Sequence, residues 1–124
     1  PEPIHAGGLR YHGMAPLVSH IYELGLVEAI SIPQTECFEG ALQFARAEGI
    51  VPAPEPTHAI AAAVREALAC KESGEEKVIL TALCGHGHLD LASYETFLSG
   101  QMVDLDLPDS AIQEAMENVP KIEG

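Results

Sequence analysis

The run Lys77-Val78-Ile79-Leu80-Thr81-Ala82-Leu83 decides the fold class that this chain suggests. From Val78 to Leu83 only Thr81 interrupts the apolar residues, and the run has the length of a strand rather than of a helix. A short, unbroken apolar run fits a parallel strand covered on both faces, whereas a half-exposed strand would alternate. Upstream, Ile60, Ala63, Val64, Ala67 and Leu68 recur at helical spacing behind Thr57, a candidate N-cap, and the pattern stops at Gly74. Downstream, Asp90 is placed to cap a helix through about Leu98. Ser110 and Gln113 have the spacing of a capping box for a last short helix.

The first half of the chain repeats this alternation. Gly7, Gly8 and Gly13 make the first thirteen residues a poor candidate for regular structure, and Pro16 suits the first turn of a helix reaching about Leu24. Leu17, Val18, Ile21 and Leu24 form its expected buried stripe, and Gly25 its stop. Val27 to Ile32 reads as a second short strand ended by Pro33. Thr35 is a candidate cap for the next helix, Glu36 and Glu39 suit its positive end, and Phe38, Ala41, Leu42 and Ala45 share one face before Gly49. Helices alternating with two strands predict an α/β fold, a small parallel sheet with helices packed around it, in a single domain over residues 1–124. Two strands this apolar look like part of a larger sheet.

Composition narrows the function. Hydrophobic residues make up 47% of the 124 and charged ones 20%, which is globular rather than disordered usage and enough for one core. The net charge of -13, with only 6 Lys and Arg, disfavours nucleic acid, anionic membrane surfaces and polyanionic substrates. Cys37, Cys70 and Cys84 are an odd number in a chain able to build its own core, so they indicate a reducing, cytoplasmic setting rather than a disulfide framework. No apolar run approaches the ~18 residues of a membrane helix, and Pro1-Glu2-Pro3-Ile4-His5 has no signal-peptide character. The absence of an initial methionine reads as processing, cropping or partial observation.

Two turns carry the chemistry. The first is Gly49-Ile50-Val51-Pro52-Ala53-Pro54-Glu55-Pro56-Thr57-His58-Ala59, which ends one helix and starts another with a lone carboxylate between prolines. Glu55 is either a ligand-facing group or a helix N-terminal carboxylate worth ~0.3–1 kcal/mol through the helix dipole. The second is Leu83-Cys84-Gly85-His86-Gly87-His88-Leu89-Asp90, at the carboxyl end of the expected strand, where open α/β sheets bind ligands. Gly85-His86-Gly87 is either a tight turn or a close backbone approach to a ligand, and Cys84 either a contact or a small hydrophobe. Cys84, His86 and His88 are also three possible metal ligands within five residues, which His5, His12 or His58 could complete, but zinc sites usually combine two clusters. No serine lies in a Gly-X-Ser-X-Gly context, so serine-hydrolase chemistry is unsupported.

Together with Ala6-Gly7-Gly8-Leu9-Arg10-Tyr11-His12-Gly13, these two turns closely resemble the carboxy-terminal part of a tryptophan synthase β chain, in the divergent second class of that pyridoxal-phosphate family. The resemblance covers nearly the whole chain and keeps the family's motif order. It implies that Glu55, in a Pro-Ala-X-Glu-X-X-His segment, lies close to the cofactor ring. It also implies that Cys84 and Gly85 occupy the turn whose first residue, typically serine, meets the pyridine nitrogen. A thiol is a weaker hydrogen-bond partner than a hydroxyl, which sets this chain apart from the family's pattern. Arg10 falls where better-known β chains carry an aspartate engaging the serine substrate, and arginine there could bind a carboxylate or the leaving group.

The family's Schiff-base lysine and phosphate-binding glycine loop have no counterpart here. Lys71, Lys77 and Lys121 lack the motif, and both parts lie upstream in the family. The resemblance therefore implies an incomplete enzyme, inactive alone, whose intact form condenses indole with L-serine on pyridoxal phosphate. No cofactor is expected to attach covalently to this chain. Its expected partners are the missing amino-terminal part or another copy of itself, since its helix faces and the Val78–Leu83 run exceed what two strands can hide. The other reading is a non-catalytic ligand-binding or oligomerising module derived from the same fold.

Overall fold

The computed structural model describes residues 4–11, 13–105, 108–117 and 119–120. Five α-helices follow one another: α1 (Pro16–Glu23), α2 (Gln34–Glu48), α3 (Pro54–Ser73), α4 (Leu91–Leu98) and α5 (Asp109–Glu117), with 3-10 turns at Gly7–Leu9 and Gly87–Leu89. Helix α2 begins after Pro33 and ends at Gly49, whose φ of 71° is the left-handed conformation that glycine adopts without a Cβ penalty. Gly74, at φ 73°, ends α3 in the same way.

Three helix starts depart from the expected caps. Pro54 occupies the first turn of α3 and Ala53 its N-cap, so the helix begins three residues before Thr57. Proline's fixed φ is already helical and its missing N–H is not needed there, which lets the proline pair nucleate the turn. Thr57 is instead fully buried, and its hydroxyl donates to Pro54 O at 2.6 Å. Ser110 likewise lies inside α5 rather than before it. Thr35 lies inside α2, where its N–H donates to the carboxylate of Asp104 at 3.0 Å; the cap of this helix comes from a distant segment.

The core sits between α2, α3 and α4. Glu36 faces Arg65 in a two-bond ion pair and Gly40 faces the backbone of Ala61, so α2 and α3 run antiparallel. Phe38 is the centre of the packing, with ring centroids of Tyr94 at 5.0 Å and Phe97 at 5.8 Å, and with Ala41 and Met102 beside it. Edge-to-face and offset aromatic pairs at these separations add to the burial they already provide.

The expected α/β sheet is absent. Among the described residues there are no strands, only an isolated antiparallel bridge between Pro52 and His86. Residues 27–33 and 77–83 carry no regular structure. A strand is defined by a hydrogen-bonded neighbour, and neither run meets one here. Val78 is 99% exposed and Leu80 95%, while Ile79 to Ala82 lie along Ala59, Ala62 and Ala63 of α3 across a groove. The stripe expected to bury α1 is also on the surface, with Leu17 80% exposed and Val18, Ile21 and Leu24 exposed as well. Among the described residues no helix is long and apolar enough to cross a membrane.

Candidate functional site

The Val51-Pro52-Ala53 turn and the Gly85-His86-Gly87 turn are laced together by backbone. Ala53 N–H donates to Gly85 O at 3.0 Å, and Gly87 N–H to Val51 O at 2.7 Å. The carbonyl of Pro52, between them, accepts from the hydroxyl of Tyr94 at 2.6 Å. The two glycines are what permit this approach. A Cβ on Gly85 would stand 3.0 Å from the Cβ of Ala53; one on Gly87 would overlap Pro52 O and press on Val51 and Tyr94. Close packing of loop on loop thus accounts for Gly87 without any ligand. Pro52, Pro54 and Pro56 are all fully buried, which holds the turn rigid.

Glu55 follows directly, in the first turn of α3 and half-buried. Its Oε1 accepts from Gly8 N–H at 2.6 Å, so the amino-terminal 3-10 turn is brought to the same end of α3. Arg10 closes that turn, its N–H donating to Gly7 O; its side chain is exposed and has no carboxylate partner among the described residues. Cys84 is exposed and next to Gly85 in sequence. The backbone of all four expected residues, Arg10, Glu55, Cys84 and Gly85, therefore gathers around the amino end of α3.

Two further residues stand near this end: His58, which the sequence offered only as a possible metal ligand, and Tyr94, which it did not single out. His58, one turn after Glu55, is half-buried; burial holds its imidazole below the ordinary histidine range, against the opposing pull of the Glu55 charge. It lines a cavity of about 200 Å³ with Ala6, Gln34, Phe38 and Asp104. Tyr94 is the other. Burial pushes its phenol up to about 12, with a smaller contribution from the Asp90 carboxylate. The only sequence signal for Tyr94 was its place in the helix expected after Asp90, which does not reveal a partner 42 residues away.

Among the described residues the histidine-rich turn joins no group of metal-ligating side chains. The His86 and His88 rings lie 4.7 Å apart, but the Nδ1 of His86 accepts from the backbone of His88, and His5 is engaged with Ser93 at 2.9 Å. Among the described residues no group of three His, Cys, Asp or Glu side chains could hold a metal; His12 lies outside the described residues. Lys71 is in the last turn of α3, ~24 Å along the axis from Glu55 at 1.5 Å per residue, and Lys77 pairs with Glu75 at 3.0 Å. Lys121 lies outside the described residues.

No family model matches the chain. It is 62% identical over 104 residues to a tryptophan synthase beta chain 2 of Aquifex aeolicus, covering 84% of this chain and 24% of that protein. Another beta chain 2, from Methanosarcina acetivorans, is 57% identical over 83% of this chain and 23% of its own length. The chain belongs to the tryptophan synthase beta chain family. A beta chain 2 of Pyrococcus furiosus extends the match to 95% of this chain, at 50% identity, and again to 26% of its own length. The chain thus spans about a quarter of the tryptophan synthase beta chains it matches.

Proposed function

We propose that this chain is the carboxy-terminal segment of a pyridoxal-phosphate enzyme that makes L-tryptophan from L-serine and indole by β-replacement, and that it is incomplete and inactive alone. The gathering of Gly8, Glu55 and Gly85 at one end of α3, through the Gly8–Glu55 and Ala53–Gly85 hydrogen bonds, is the observation that carries the reading. Pyridoxal phosphate, when bound, supplies the electron sink for chemistry at the carbons of serine.

The residues present fit one edge of that cofactor. Cys84 offers an exposed thiol to a ring nitrogen, Gly85 holds that turn against Ala53, and Glu55 brings a carboxylate fixed by a backbone donor. Arg10 is free to meet a substrate carboxylate or the leaving group. The attaching lysine and the phosphate loop belong to the remaining three quarters of the protein; that missing part, or another copy of this chain, is the expected partner. The free thiols of Cys37, Cys70 and Cys84 support a cytoplasmic setting.

A chimera tests the proposal. Replacing the matching quarter of the Aquifex aeolicus protein with this segment should yield an enzyme that releases tryptophan from indole and serine, while the 124-residue chain alone yields none. A well-folded chimera that binds pyridoxal phosphate yet makes no tryptophan would sink the catalytic reading. It would favour a binding or oligomerising module instead.

A further inference from the structure

The first turn of α3 carries prolines at positions 54 and 56, and proline has no backbone N–H. Around Glu55 the helix therefore lacks two of the donors that an amino end ordinarily offers to a carboxylate. Glu55 takes its donor from elsewhere in the chain. Gly8, 47 residues upstream, donates its N–H to Oε1 at 2.6 Å.

Position 8 has no room for a side chain. A Cβ there would stand 2.9 Å from Oε1 of Glu55, 3.0 Å from its Cγ and 3.3 Å from its Cδ. Those atoms belong to a side chain that can turn, so an added methyl displaces the carboxylate rather than breaking the backbone. The turn that presents the donor is itself held, because Leu9 N–H donates to Ala6 O at 3.0 Å and Ala6 is buried.

We propose that Gly8 is a positioning residue for the carboxylate of Glu55, and that this one bond sets the Arg10 turn and the carboxylate as a unit. The inference rests on the reading of Glu55 as cofactor-facing. A hydrogen bond to an ionised carboxylate is strong enough for its loss to be visible in turnover.

The test uses an intact beta chain carrying this segment, loaded with pyridoxal phosphate. Gly8→Ala should lower kcat by roughly tenfold, the fold-change of one lost charge-assisted bond, and shift the visible absorbance of the cofactor with Tm nearly unchanged. In a Glu55→Ala background the same change should add nothing, since there is no carboxylate left to displace. If Glu55→Ala alone leaves turnover and absorbance unchanged, the reading of Glu55 fails and the inference with it. If Glu55→Ala is damaging but Gly8→Ala is silent, or the two effects multiply, the positioning role is overturned while the reading of Glu55 stands.

Discussion

Tyr94 brings its hydroxyl to the carbonyl of Pro52 and its ring to Phe38, so one side chain serves both the core and the paired turns. Tyr94→Phe should keep the ring packing and leave the Pro52 carbonyl without its donor, at a cost on the order of 1–2 kcal/mol in denaturant unfolding. The phenol is raised from 10.0 to about 12 chiefly by burial, so the folded state favours the neutral form. That contribution is fully present below pH 10 and is lost as pH rises from about 10 to 12. Unfolding curves across this window should show the stability advantage of the native chain over the phenylalanine variant shrinking. A constant difference would show that the hydroxyl is not held as described.

At the scale of elements, the site depends on two turns approaching closely enough for backbone to bond backbone. Gly87 is the tightest point, because a Cβ would overlap the Pro52 carbonyl and no rotation of that carbonyl is free while Tyr94 holds it. Gly87→Ala should part the turns, break the Gly87–Val51 bond and destabilise the chain by about 1–3 kcal/mol, as overpacking does. Gly40→Ala provides the control. A Cβ there meets Ala61 at 3.7 Å, an ordinary contact, so unfolding should move little. Equal effects at the two glycines would contradict the loop-on-loop account.

At the scale of the whole molecule, the apolar surface is too large for a chain that ends its contacts here. Leu17, Leu26, Ile30, Val78 and Leu80 are all exposed, and Met14, Val18, Tyr22 and Val27 line a groove on α1 of about 470 Å³. Exposed patches of this kind mark surfaces that are covered in the working protein. Sedimentation of the 124-residue chain should therefore show species larger than a monomer, and co-expression with the remaining part of a beta chain should replace them with a one-to-one complex. A clean monomer at high concentration would contradict it.

Much was legible without coordinates, where the cause is local. Helices α1, α2 and α4 lie close to where Pro16, Asp90 and the glycines at 25 and 49 put them, and α3 stops at Gly74 as expected, because helix stops are set by neighbouring residues. The three motifs likewise pointed to the family from residue identities alone. The starts of α2, α3 and α5 differ from the expected ones: Thr35, Thr57 and Ser110 have the chemistry of caps but lie inside their helices, and at α3 the prolines and the burial of Thr57 are the reason. The parallel sheet failed for a deeper reason. Val78 to Leu83 has the composition of a buried strand, but strandedness belongs to a pair, and a partner is not encoded in the run itself. What only the tertiary structure decided is which distant groups meet: Gly8 with Glu55, Ala53 with Gly85, Asp104 with Thr35 and Tyr94 with Pro52. Each is a contact of one or two hydrogen bonds between residues far apart in the chain, and no pattern of spacing announces it before the packing of α2, α3 and α4 brings the two ends together.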